Sequence, residues 1–393
     1  MRKIFLTHLH GDHTSDLTYM YCFGPQRDAK SPMYLWGPSK SCVPNPWFGH
    51  KDYDEPEYFD DGTIAFARNF REMNRWHTES QSFVGTRYQG GNGLPPAEGD
   101  GYDIVATELN WASGAKELPW SNNKRLNQNT AEYFPWYTSA PWVAYHDPIK
   151  KIKISWFPAV HDRNGSVSYL LEWNGLSMIF SGDTRPNNFL LAALKDASKP
   201  VDLLVHEMVL PPDVWAGLAN GGRITDQSLK TSYAVQMNSH TPELALGYLL
   251  RQAQEAGRAP RLAVGTHFQA SDDTIRGAFD AVRKWYAGPF SIMTDLVVIN
   301  VSTNQIRQGR AVVSDFSQFP PPADPRAPYG MCLPKYNDPR PTSPFYPYGL
   351  GPLEQFSPFL SEQVIDSCRY DPNGWECAQN YTAYNPPENP PGV

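Results

Sequence analysis

Three of the ten histidines fall within six positions of one another in "FLTHLHGDHTSD", residues 5–16, which brings His8, His10, Asp12 and His13 onto one short stretch. The apolar run "KIFLTH" before it predicts a buried strand, and "TSDLTYMY" after it predicts a helix opening with Thr14, Ser15 or Asp16 as its cap. The cluster therefore belongs on a strand-to-helix loop. In an extended chain the side chains at i, i+2 and i+4 share a face. His8, His10 and Asp12 converge if the strand runs on to Asp12, while His13 leaves at another angle. One loop can thus feed two neighbouring metal sites. Imidazole and carboxylate together suit zinc or a similar first-row divalent ion, and open positions for water would make such a site catalytic.

The rest of the chain must close around this loop. From residue 151 strands and helices alternate, which indicates an α/β layered domain. "KIKISWFPAVH" reads as a strand, and "SVSYLLEW" and "SMIFSGDT" read as a hairpin about Asn174-Gly175. "NFLLAALKDA" is a helix, "VDLLVHE" a buried strand, and "TPELALGYLLRQAQEAG" a helix with Pro242 in its first turn and Gly257 at its end. "RLAVGTH", the helix "TIRGAFDAVRKWY" and the strand "DLVVINVS" follow. Residues 24–150 are rich in Pro, Gly, Asn, Trp and Tyr and read as a large decorated insertion. Residues 1–310 are thus assigned to one domain, and the proline-rich residues 311–393 to a tail that wraps it.

Composition excludes several partners. A net charge of −7 with 19% charged residues supplies no general attraction for phosphate backbones, which argues against nucleic acid. No apolar run reaches the roughly 18 residues that span a bilayer, so no membrane partner is expected. The chain reads as soluble. Its compartment stays open, periplasmic or secreted if an upstream export signal precedes residue 1, and so do the disulfide state of its five cysteines and a homodimeric state.

"HLHGDH" resembles the HxHxDH signature of the metallo-β-lactamase superfamily. That resemblance implies an αββα sandwich whose remaining ligands stand at strand ends, and His161, Asp183 in "FSGDTRP" and His267 in "AVGTHF" match those positions. It further implies that His8, His10 and His161 hold one metal, that Asp12, His13 and His267 hold a second, and that Asp183 bridges them. "SGDTRP", "LLVHE", "NSHTPELA" and "GTHF" follow the order of the tRNase Z branch, and "HEMV", "SHTPE" and "GTHF" are also similar to the metallo-β-lactamase-fold hydrolases named for guanitoxin biosynthesis. In the tRNase Z branch the histidine matching His240 gives a proton to the leaving group, supported by the pair matching His206 and Glu207. Two alternatives come from the residues themselves: His206 and Glu207 as strand-end polars bonded to loop backbone, and His240 as the cap of the helix near Pro242.

The implied enzyme is a dinuclear hydrolase, with zinc first among the metals. A bridging water acidified towards neutrality would attack a small, phosphodiester-like ester, and Asp12 would orient or deprotonate that water. The other readings are tRNA 3′-end processing and a non-catalytic binding protein on the same scaffold. The sequence departs from the family in two places. Members carry β-structure ahead of the HxHxDH strand, which here begins at residue 3, so either strands are missing or another segment completes the sheet. The tRNA-clamping arm of bacterial tRNase Z lies between the lone His and the bridging Asp, but His161 and Asp183 are 22 positions apart, too few for that arm.

Overall fold

The apolar alternation of the first strand is resolved into two faces. The structure, a computed structural model, describes residues 3–24, 32–41, 43–51, 56–78, 102–110, 142–163, 165–268, 274–311, 365 and 369–370. β1 (Lys3–Phe5) leads through α1 (Gly11–Thr14) and α2 (Leu17–Phe23) to β2 (Met33–Pro38). α3 (Thr63–Met73), α4 (Arg75–Thr78) and β3 (Ile104–Leu109) follow, and β1, β2 and β3 form a parallel sheet in that order. Leu6, Met33 and Leu35 pack with Leu17, Tyr21, Ala67 and Phe70 of α2 and α3. Phe5 points the other way and stacks on Trp36 at 4.7 Å between ring centroids.

The second sheet runs β10-β9-β8-β7-β6-β5-β4. Its strands are β4 (Trp142–Asp147), β5 (Ile152–Pro158), β6 (Val167–Trp173), β7 (Leu176–Phe180), β8 (Leu203–Glu207), β9 (Leu262–Thr266) and β10 (Phe290–Ile292). β4 to β7 are antiparallel neighbours and β7 to β10 are parallel. Asn174 and Gly175 both take positive φ, 49° and 78°, as the tight β6–β7 hairpin requires. The helices are α5 (Asn188–Lys195), α6 (Pro212–Ala219), α7 (Asp226–Ser239), α8 (Glu243–Glu255) and α9 (Ile275–Arg283), and the ribbon of β11 (Val297–Val301) and β12 (Ile306–Arg310) closes the described domain.

The two sheets face each other. Phe5 meets Tyr169 and Trp36 meets Tyr145, at 5.7 and 5.6 Å between ring centroids. At the end nearest the histidine cluster the Tyr169 hydroxyl donates to the Leu6 carbonyl (2.7 Å) and the Val167 N–H donates to the Thr7 carbonyl (2.9 Å). Behind the large sheet Leu190 and Leu194 of α5, Leu246, Leu249 and Leu250 of α8 and Val282 of α9 are all fully buried. Burial of each such side chain contributes about 1.5–3 kcal/mol. The layers therefore run helix, sheet, sheet, helix, the αββα order that the motif implies.

Several expectations change here. The strand stops at Phe5, and residues 11–14 form a helical turn in which the His13 N–H and the Thr14 hydroxyl both bond the His10 carbonyl. The extended alternation of His8, His10 and Asp12 is therefore replaced by a turn. Of the three candidate caps, Asp16 occupies the cap of α2 and makes no side-chain bond there. The supposed insertion provides β2, α3 and β3, so a later segment lies beside β1 and builds the small sheet with it. α6, α7, β10 and β12 were not anticipated. Most of residues 79–141 and the tail from 312 onward fall outside the described residues, as do Cys42, Cys332, Cys368 and Cys377.

Glu243, in the first turn of α8, is 4% exposed. Burial pushes its carboxyl up from 4.5 to about 7, against the pull of its own backbone N–H. The folded chain keeps this proton across a pH range in which the unfolded chain has released it, so stability present below 4.5 is lost as pH rises towards 7. Glu243→Gln is expected to abolish that loss. Its unfolding free energy in urea should exceed the wild type's at pH 8 by up to about 3 kcal/mol, at 1.36 kcal/mol per pH unit, and converge with it near pH 4. An equal gap at both pH values would show that the carboxyl is ionised throughout.

Candidate metal centre

Asp183 is the hub. It is 3% exposed, and its Oδ2 lies 3.3 Å from His13 Nε2, 3.4 Å from His267 Nε2 and 3.7 Å from His8 Nε2. His161 Nε2 and His240 Nδ1 stand at 3.9 Å from the same oxygen. Gly182 permits this approach: its φ is +59°, and a Cβ there would collide with the side chain of Thr7, one residue before His8. His267 also takes a left-handed φ, 58°, immediately after β9, and non-glycine residues in that region cluster at functional sites.

The donors come from four separate segments. His8, His10, Asp12 and His13 occupy the β1–α2 connection, His161 a bend after β5, Asp183 the β7–α5 loop, and His267 the end of β9. Two groupings have ligand atoms all within 4.8 Å of one another: His8, His10 and His161, and Asp12, His13, Asp183 and His267. The resemblance assigns His8, His10 and His161 to one ion, Asp12, His13 and His267 to the other and Asp183 to both; of these two groupings Asp183 joins the second. Two further groupings, His161–Asp183–His240 and Glu207–His240–His267, overlap them and draw in His240 and Glu207.

The donors fit divalent cations. His8 Nε2, His13 Nε2 and His267 Nδ1 are buried without a hydrogen-bond partner, and buried polar nitrogens in that state call for a ligand. Burial, with the neighbouring His161, lowers His8 to about 2, and burial likewise lowers His161, so both imidazoles are neutral and offer lone pairs at neutral pH. Burial would raise Asp183, but His13, His267 and His161, whose ring nitrogens lie 3.3–3.9 Å from its Oδ2, hold it well below the usual carboxylate range. A buried carboxylate beside the neutral rings of His8 and His161 makes a nitrogen-rich pocket of the kind zinc prefers.

Glu207 ties the loops together. Its Oε1 accepts the Thr184 N–H at 2.6 Å, and its two carboxylate oxygens lie 3.1 and 3.2 Å from His240 Nδ1. Burial pulls His240 down, but Glu207, Asp183 and Asp162 outweigh it and raise the ring to about 9. His240 is the C-cap of α7, and its side chain faces Glu207. The alternative that it caps the next helix is thereby set aside, for Pro242 holds that place. His206 stands apart: it is fully buried, its Nδ1 lies 2.6 Å from the Glu207 carbonyl, and it joins none of the groupings found among the described residues. Its side chain meets backbone, where the tRNase Z pattern had placed it in support of catalysis.

Thr184 was not singled out from the sequence. It is fully buried, its N–H reaches Glu207, its Oγ1 accepts from Val160 N and Asn187 Nδ2, and its carbonyl accepts from the Thr241 hydroxyl. It fastens the Asp183 loop to three other segments, and its place directly after the predicted bridging aspartate was the only local signal.

Fold and site together define an αββα protein with a candidate histidine–carboxylate metal centre. Among solved structures, the chain is similar to the metallo-β-lactamase-fold protein YhfI from Bacillus subtilis, with 10% identity and a TM-score of 0.38 over 79% of this chain and 78% of that one. It is also similar to the short form of human tRNase Z, with 16% identity and a TM-score of 0.38 over 75% and 76% of the two chains. Zn2+-bound PqqB from Methylobacterium extorquens is 11% identical over 75% and 69%, with a TM-score of 0.34. No protein-family model and no curated protein matches the chain. Among the described residues no helix is long and apolar enough to cross a membrane.

Proposed function

We propose that the chain is a dinuclear metal-dependent hydrolase of the metallo-β-lactamase superfamily that cleaves a small, phosphodiester-like ester. The observation that carries this is the convergence of donors from four separate segments, that of Asp183 among them, in two groupings whose ligand atoms lie within 4.8 Å of one another. His8, His10 and His161 would hold one ion, Asp12, His13 and His267 the other, and Asp183 would face both. Two zinc ions held there would supply Lewis acidity towards a substrate oxygen and acidify a water.

The chain's own groups divide the remaining work. The Asp12 side chain is 65% exposed, beside His13 and His267, and can orient a water or take its proton. His240, its Nδ1–H held by Glu207, can present Nε2 to a departing oxygen and give it a proton. The 21 residues between His161 and Asp183 are occupied by the β6–β7 hairpin and its two-residue turn, so they carry no RNA-clamping arm. This favours a small substrate over precursor tRNA.

Purified chain incubated with zinc and then desalted is expected to retain about two equivalents and to hydrolyse bis-p-nitrophenyl phosphate. Cleavage of precursor tRNA at enzyme concentrations of about a micromolar or below would replace the small-ester reading with RNA processing. Retention of less than about half an equivalent with no ester cleaved would overturn the enzyme reading in favour of a binding scaffold.

A further inference from the structure

Asp162 and Ser239 lie beside the centre and form no part of the ligand set described above. His161 Nδ1 is 2.7 Å from the Ser239 carbonyl oxygen, and the Ser239 hydroxyl donates to Asp162 Oδ1 at 2.5 Å. Asp162 Oδ2 faces His10 Nε2 at 3.8 Å, a charge contact longer than a hydrogen bond. His10 Nδ1 and His161 Nε2 meet at 3.1 Å, which closes a ring of four residues. Asp162 joins none of the ligand groupings.

The ring constrains where the protons sit. A backbone carbonyl only accepts, so His161 carries its proton on Nδ1 and leaves a lone pair on Nε2. Without a cation His10 Nδ1–H can donate to that lone pair across 3.1 Å; with a cation against both nitrogens the His10 proton moves to Nε2, which the Asp162 carboxylate faces.

We propose that Asp162 and Ser239 are positioning residues that fix the ring orientation and tautomer of His10 and His161, so that His10 Nδ1 and His161 Nε2 present their lone pairs to one cation. This rests on the dinuclear reading given above. Ser239 ends α7 and Asp162 follows His161 directly, so the end of that helix is latched to the first metal position. Outer partners of ligating histidines commonly act in this way, and their loss weakens metal binding about 10- to 100-fold.

The test is zinc affinity of the full chain, read by competition with a chromophoric chelator. Asp162→Ala is expected to weaken one of two zinc sites about 10- to 100-fold and spare the other, and Ser239→Ala to weaken the same site less. Asp162→Asn should recover most of the loss, because its amide can accept from His10 Nε2–H while donating to Ser239 Oγ. Nitrogen-15 correlation spectra of the metal-free wild type at pH 8 should show His161 protonated on Nδ1. Two zinc ions bound by Asp162→Ala as tightly as by the wild type would overturn the latch. So would a His161 ring protonated mainly on Nε2 in the wild type, a result that needs no variant to fold. A wild type that takes up no zinc would sink the hydrolase reading, while its His161 tautomer would still decide the latch.

Discussion

Asp183→Asn is expected to lower kcat/KM for bis-p-nitrophenyl phosphate by about 10³-fold or more and to cut zinc retention from about two equivalents to below one. The side chain keeps its shape but loses its charge at a point where one oxygen stands 3.3–3.9 Å from five imidazole nitrogens. At about 4 Å and an effective dielectric constant of ~20, one unit charge attracts another by roughly 4 kcal/mol. At 1.36 kcal/mol per decade that is about three decades in rate or affinity. Asparagine also offers one acceptor oxygen where the carboxylate offers two, so the rings of His13 and His267 lose their anchor together. Far-UV circular dichroism should remain that of the wild type, since Asp183 lies in a loop and its backbone bonds do not involve the carboxylate. A variant that retained two zinc ions and activity within about tenfold of wild type would remove Asp183 from the centre.

The second large effect depends on the leaving group. For a diester that releases an alkoxide, His240→Ala is expected to lower kcat by about 10²- to 10⁴-fold, the usual loss of a general acid. For bis-p-nitrophenyl phosphate the loss should be less than about tenfold, because a nitrophenolate departs without needing a proton. Glu207→Gln should fall between these on the alkoxide substrate, because its amide oxygen can still accept from Thr184 N and His240 Nδ1 but brings no charge. Rates with graded leaving groups give the measurement. Equal losses on good and poor leaving groups would mean that His240 only shapes the pocket.

The site was legible where chemistry is local. HxHxDH states its donors within six residues, and His161, Asp183, His240 and His267 each stand in a short motif at or near a strand end that apolar runs already predict. Residues whose roles depend on distant partners were not legible. Asp162 meets Ser239 across 77 positions and Thr184 meets Thr241 across 57, and neither lies in a motif that announces the contact. His206 shows the opposite error. Its dipeptide with Glu207 suggested a shared role, but adjacent residues of a strand point to opposite faces, and only Glu207 reaches His240.

The same division holds for the fold. Between residues 151 and 301 most strands and helices were plain, α6, α7 and β10 excepted, because apolar periodicity reports which face of an element is buried. The partners of β1 were not, since residues 33–38 and 104–109 lie in a stretch whose Pro, Gly and Trp content obscures its period, and parallel pairing links strands that are far apart in the chain. What the amino-acid order determined by itself was the inventory of donors and the strand ends that carry them. Tertiary structure decided which nitrogen of each ring is free, which carboxylate is buried and which neighbours set the tautomers. The physical reason is that lone-pair direction and desolvation arise from contacts between segments, and no single segment contains them.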